Sequence, residues 1–342
     1  MIKRKILVNI LFLFCSLSFL GQDFHFSQFS AVPFWLNPAL VGGTSDVNAG
    51  IIYRTQDKGI DNPYTTYGAF ADVSVLKKRE KNSFFGVGVG FIQDNNKSLQ
   101  YTSSLAALAL SYHLRITRKN LISFGLQPFF FQKNINYTSL KWGNQYDGTS
   151  YNSSLPTGEP GVYSKLSTVD GSLGVNYQYV SGTSNSIVGR EKKFQIGLSM
   201  FHLPWTTYSF YSNSQEKVYS RYSLNMSFTF KPQNSRFGFS PILLLQKQGP
   251  ANDIIFGCNT FYILQESSSK TGYVKSSSIS AGLLYRVGDA FIVNAGINYE
   301  NFYFSLSYDI NASALTTSTG SFGAFEICLR YRMNRGHWSN SN

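Results

Sequence analysis

The sequence predicts an all-β fold: a transmembrane antiparallel β-barrel of about fourteen strands, preceded by an N-terminal pre-barrel segment. Three observations predict it. The chain opens with an export signal. It then alternates apolar and polar residues through one stretch of about ten residues after another. The polar positions of those stretches are mostly Gly, Ser, Asn, Gln and Thr, while most Lys residues sit in the connections. Charged residues make up 14% of the chain, against roughly 25% in ordinary soluble domains, and aromatic residues reach 16%. A mean hydropathy of −0.13 has a soluble look, but alternating strands average to near zero, so a barrel shows only by its period of two.

The export signal comes first. Lys3, Arg4 and Lys5 precede an apolar run from Ile6 to Leu20, and Gly21-Gln22 offers a cleavage point. This is the pattern of a secretory signal peptide, too short for a spanning helix. Residues 1–21 are therefore assigned to it, and their removal lowers the formal charge from +12 to +9 by three basic residues. The rest holds no apolar run of about 18 residues, so spanning helices are not predicted. Cys258 and Cys328 alone follow the signal, far apart and in no metal-like spacing.

Residues 22–45 form the pre-barrel segment, predicted to begin in the periplasm. It is dense in aromatics, contains Pro33 and Pro38, and shows neither alternation nor a helical stripe. Prolines would keep such a piece extended. It could plug the lumen, dock a partner through Phe26, Gln28, Phe29, Trp35, Asn37 and Pro38, or simply pack on the barrel base.

The barrel is predicted over residues 46–332. In "FYFSLSYD", Phe302, Phe304, Leu306 and Tyr308 share one face, with Tyr303, Ser305, Ser307 and Asp309 on the other. "RYSLNMSFTF", "FQIGLSM" and "FGVGVGF" alternate in the same way. Strands are predicted near 46–56, 64–76, 83–94, 98–115, 120–133, 170–181, 192–202, 218–231, 236–247, 253–265, 277–287, 290–299, 302–310 and 320–332. A tilted strand of about 9–11 residues crosses the hydrocarbon layer. A water-borne sandwich would show Lys and Glu on its open face; small neutral residues suit a crowded lumen behind a lipid-facing band. Tyr and Phe at strand ends would supply the interfacial girdles.

Parity also places Arg54, Asp72, Arg221, Arg286, Asp309, Glu326 and Arg330 on the lumenal face. Charges facing lipid are costly, so these should pair across the interior or line an ion-selective constriction. Acids and bases are mixed, which favours pairing. The long connection 134–169 carries Trp142, Tyr146 and Tyr151, and a second begins at His202; aromatic-rich loops suit protein contact. If strand one starts from the periplasm, both lie at the cell surface. Residues 333–342 form a C-terminal tail.

Chemistry of other kinds is thinly represented. The four histidines form no metal-ligand spacing, so neither metal nor cofactor is predicted. "GVGVG" opens no helix, and no G-x-S-x-G elbow occurs. An outer-membrane hydrolase would have to use His113 with a Ser from a neighbouring strand. Nucleic-acid binding lacks its clustered basic face.

The segment "FSQFSAVPFWLNPALVGG" resembles the start of the PorP/SprF family, outer-membrane proteins of the type IX secretion system in Bacteroidetes. Phe26, Ser27, Gln28, Phe29, Pro33, Asn37, Pro38, Ala39 and Gly42 carry the likeness. "YRTQ", "YTTYGAFAD" and "LKWGNQYDG" extend it, though Asp57 replaces a usual Trp. The C-terminal third continues it through Tyr285, Arg286, Tyr308, Asp309, Ser313, Leu315, Gly320 and Glu326. The resemblance implies a non-enzymatic fourteen-stranded barrel of the bacterial outer membrane. Its implied partners, besides lipid, are periplasmic ring components of the secretion system. It further implies a role in export or surface anchoring of large adhesin-like proteins bearing type B C-terminal signals. The alternative kept beside it is a porin or a transporter of hydrophobic compounds.

Overall fold

The computed structural model describes residues 23–56, 64–77, 82–96, 100–136, 140–158, 164–182, 187–203, 218–266, 275–312 and 322–334. The expected signal peptide, and the tail from residue 335 on, lie outside the described residues.

Fourteen strands follow one another around a closed antiparallel barrel. They are β1 (Val47–Gln56), β2 (Tyr64–Val75), β3 (Ser83–Asn96), β4 (Tyr101–Arg115), β5 (Asn120–Ile135), β6 (Lys165–Gly182) and β7 (Glu191–Phe201). The second half comprises β8 (Arg221–Lys231), β9 (Phe237–Gln248), β10 (Ala251–Gln265), β11 (Ser277–Arg286), β12 (Ala290–Tyr299), β13 (Phe302–Asn311) and β14 (Phe322–Met333). Closure is made by β1 against β14, from Val47 opposite Met333 to Arg54 opposite Glu326. With no free edge, strand pairs with strand all the way round, the condition for a sheet to span lipid.

Alternation decides which way each residue points. On β13, Phe302 and Phe304 stand 51% and 41% exposed, whereas Ser305 and Asp309 are about 1% exposed. The same inversion of a soluble protein's pattern runs round the barrel: Val89, Phe91, Leu198, Tyr222 and Leu283 face outward, and Ser199, Ser223 and Asn225 are buried. An apolar belt outside and a polar lumen inside follow from period two alone.

The strand bounds agree with the expected ones to within a few residues except in β6, which begins at Lys165 rather than near 170. Lys165 to Val169 pair with Asn134 to Phe130 of β5. The first two outward positions of β6 are Lys165 and Ser167, and the apolar rhythm used to find strands resumes only at Val169. The connection between β5 and β6 shortens accordingly to 136–164.

β1 begins and β14 ends at one mouth of the barrel, here the near mouth. The connections 136–164 and 202–220 both belong to the other, far mouth.

Candidate functional site

The segment ahead of β1 lies inside the barrel. Residues 23–43 descend from the far mouth to the near one, then turn into β1. At the far mouth the Asp23 carboxylate lies 2.8 Å from Nε2 of His202 and 3.5 Å from Arg221. The His202 Nδ1 lies 2.7 Å from Asp170 on β6. Burial alone would push this imidazole down, but the Asp23 charge and the bonds to Asp170 and Asp23 carry its pKa up to about 9. His202, set between the Asp23 and Asp170 carboxylates, is therefore a cation at neutral pH and holds the segment's first described residue.

Below this latch the aromatics stack inward. Trp35 meets Phe24 and Phe34 edge-on, at 6.1 and 4.7 Å between ring centroids, and Phe34 stacks on Phe70 of β2 at 6.0 Å. Pro33 and Pro38 do not extend the chain as expected; each opens a short helical turn, Pro33–Leu36 and Pro38–Leu40. Proline suits that first position because its fixed φ is already helical and its missing N–H would have been unpaired there. Asn37 joins the two turns. Its Oδ1 accepts from Ala39 N at 2.9 Å, and its amide donates to the Val175 and Leu198 carbonyls of β6 and β7.

At the near mouth, His113 donates through Nε2 to the Val41 carbonyl at 2.8 Å, since a carbonyl can only accept. Ser111 donates to the same oxygen at 2.6 Å, and Ser123 lies 2.7 Å from His113 Nδ1. His113 thus meets a serine of the neighbouring strand β5, Ser123, but both are buried and His113 is engaged in holding the segment. Gly42 (φ +68°) donates to Asp72 Oδ1 at 2.8 Å and makes the turn toward β1.

Glycine on the lumenal face gives the segment its seats. A Cβ on Gly86 would stand 2.1 Å from the Val41 oxygen, and one on Gly125 would stand 2.2 Å from the Pro38 carbonyl carbon. Both contacts are with backbone, which cannot swing aside. In "FGVGVGF", Gly86 makes this backbone approach, and Gly90 leaves room for the Phe34 and Trp35 rings.

The charges grip the segment's other flank. Glu326 accepts the backbone N–H groups of Ser27 and Gln28 on its two oxygens, at 2.7 and 2.9 Å, and is bonded by Arg54. Ser27 Oγ donates to Asp309 Oδ2 at 2.6 Å and accepts from Arg54 and Arg286, each at 2.9 Å. Arg286 lies 3.2 Å from the same Asp309 oxygen. Four side chains from β1, β11, β13 and β14 therefore converge on one serine. Asp72 also accepts from Asn48, whose oxygen accepts from Arg330 Nε at 2.6 Å. Arg221 lies over the Phe201 ring, 4.2 Å from its centroid, beside Asp23. The seven charges placed in the lumen by parity are all buried. Most act on residues 23–42 as well as on one another, a role the parity argument did not foresee.

The expected partner-contact residues fall into two groups. Phe26, Gln28, Phe29, Trp35, Asn37 and Pro38 are buried in the lumen. The loop residues differ. Trp142 is half-buried, Tyr146 and Tyr151 are exposed and form an isolated bridge. A turn at Gly143–Gln145 supports them, its Gln145 amide donating to the Leu155 carbonyl at 3.1 Å. The aromatic residues of the second loop, at 204–217, lie outside the described residues.

A family model for the type IX secretion system membrane protein PorP/SprF matches residues 18–331. The chain belongs to that family. It is accordingly an outer-membrane barrel of the type IX secretion system. Solved structures similar to this PorP/SprF protein are outer-membrane barrels of low identity. The CymD monoaromatic hydrocarbon channel is 13% identical, with 93% of this chain and 96% of that one covered and a TM-score of 0.43. A mutant of the TodX monoaromatic hydrocarbon channel is 10% identical over 86% and 91% of the two chains, TM-score 0.46. A FadL homologue from Pseudomonas aeruginosa is 10% identical over 83% and 88%, TM-score 0.43. No curated protein matches the sequence.

Proposed function

We propose that this PorP/SprF barrel is a sealed scaffold of the secretion system that works through protein contacts at its two mouths rather than by conduction. The observation that carries the reading is the seated segment, residues 23–43, which runs through the lumen from mouth to mouth. Outer-membrane barrels have short periplasmic turns and longer extracellular loops, so the near mouth faces the periplasm and the loop 136–164 faces the cell surface. The periplasmic ring components then dock at the near mouth. A large adhesin-like protein with a type B C-terminal signal engages the far mouth during export or anchoring, with Trp142, Tyr146 and Tyr151 as its aromatic contacts. The porin or transporter alternative needs an open lumen, and the segment seated along it weighs against that reading.

Affinity recovery from outer membranes with mass spectrometry tests the division of labour. The full chain should retrieve both partner classes. Replacing Trp142 and Tyr146 together by Ala should cut recovery of the secreted protein by about tenfold or more, since interface aromatics are each worth on the order of 2 kcal/mol. Recovery of the ring components should stay unchanged. Undiminished recovery of the secreted protein by the variant would refute its docking at this loop.

A further inference from the structure

The outward surface of β1–β6 changes character abruptly toward the far mouth. One cross-strand row contains Ile51, Phe91, Phe130 and Val169, the lipid-facing belt, all well exposed. Two residues further along each strand, the row becomes Tyr53, Tyr67, Gln93, Ser104, Gln132 and Ser167. Two residues beyond that it is Thr65, Asn95, Thr102, Asn134 and Lys165. A strand advances about 3.3 Å per residue at a tilt near 40°, so the last row stands about 10 Å beyond the apolar one. That is the level of lipid headgroups and the sugars attached to them.

The opposite wall does not do this. On β11, β12 and β13 the outward residues stay apolar to the last pairs, with Tyr285 opposite Phe291 and Phe291 opposite Ile310. The polar wall is thus a feature of one side of the barrel and not a general rim. It is also hollow: Tyr53, Tyr67, Asn95, Thr102, Asn134 and Lys165 line a concavity of about 850 Å³.

Its chemistry is selective. A surface meant only for water would carry Lys and Glu; here there are amides, hydroxyls and tyrosines, with Lys165 the cation among the residues of these rows. Tyr53 and Tyr67 pair at 5.3 Å between ring centroids and offer apolar faces, while Gln93 Nε2 donates to Asn95 Oδ1 at 3.1 Å and aligns two amides side by side. Amides present donor and acceptor together, matching neighbouring hydroxyls of a sugar. Aromatic faces cover its C–H side, and an ammonium suits a phosphate. The geometry points to a binding site for the phosphorylated sugar headgroup of an outer-leaflet glycolipid, held against the outside of β1–β6. The proposal rests on the orientation argued above, with the far mouth at the cell surface.

The test uses purified full-length protein in detergent, with intact lipooligosaccharide as probe. The parent should bind it saturably, and the double substitution Asn95→Ala with Asn134→Ala should weaken binding at least tenfold while heat-modifiable folding stays the same. The deacylated oligosaccharide should compete and phosphatidylethanolamine should not. Equal affinity in parent and variant, or competition by any phospholipid, would overturn the site. So would substitutions that reduce recovery of the secreted protein without touching lipooligosaccharide affinity, for then the wall serves a protein. Orientation is read separately, by antibody labelling of intact cells carrying an epitope at Gly148. Lost labelling would overturn the orientation; labelling kept with no glycolipid binding would overturn this inference alone.

Discussion

Deleting residues 24–41 turns a silent barrel into a steadily conducting pore in planar bilayers. The fourteen-stranded ladder closes without the segment, through β1 and β14, so the variant should still insert and migrate as a heat-modifiable barrel. What it loses is the filling. Phe34, Val32 and Ala39 are almost completely buried against the wall, and their removal leaves a lumen bordered by Arg54, Arg286, Asp309 and Glu326. Those charges were costly to bury and become hydrated when water enters, which offsets part of the lost packing. Conductance should therefore rise from no steady openings in the full chain to a continuous open level in the variant. Equal conductance in both would mean that the segment does not seal the barrel.

The second large effect is expected from Glu326→Ala. This carboxylate takes two backbone N–H groups of the segment and an Arg54 guanidinium, with no exposure to solvent. Its removal leaves two buried backbone donors without their acceptor and Arg54 with only the Ser27 and Gln56 oxygens and the Asp309 carboxylate, 3.7 Å away. Breaking a buried pair from one side costs about 3–5 kcal/mol, which converts to a shift of roughly two to four orders of magnitude in the seated-to-released equilibrium. The readout is bursts of conductance, absent in the parent, together with a lower unfolding temperature. Glu326→Gln keeps an acceptor oxygen and should fall between parent and Ala. An Ala variant as quiet and as stable as the parent would remove Glu326 from the anchor.

Much of this barrel was legible in the sequence because its organising signal is local. Period two needs only neighbours, so fourteen strands could be placed, and parity then assigned Arg54, Asp309 and Glu326 to the lumen. The start of β6 was missed for the same reason. Above the apolar belt its outward residues, Lys165 and Ser167, no longer contrast with the inward ones. The seat of the segment was beyond such reading, because it depends on partners far away in the chain: Ser27 and Glu326 meet across 299 positions. Proline promised extension, and the segment instead uses Pro33 and Pro38 to start helical turns. The signal that could have revealed the seat was the run of alternating glycines in β3, together with Gly125. A strand gains nothing from glycine inside it unless another backbone must come close.

Whether residues 23–43 occupy the lumen of the folded barrel is read by amide hydrogen exchange of the full chain in detergent, followed on peptides from this segment. The Ser27, Gln28, Ala39 and Gly42 amides should be protected to an extent comparable with the strands. Exchange of those amides at the rate of an unstructured chain, while the strands stay protected, would contradict that placement.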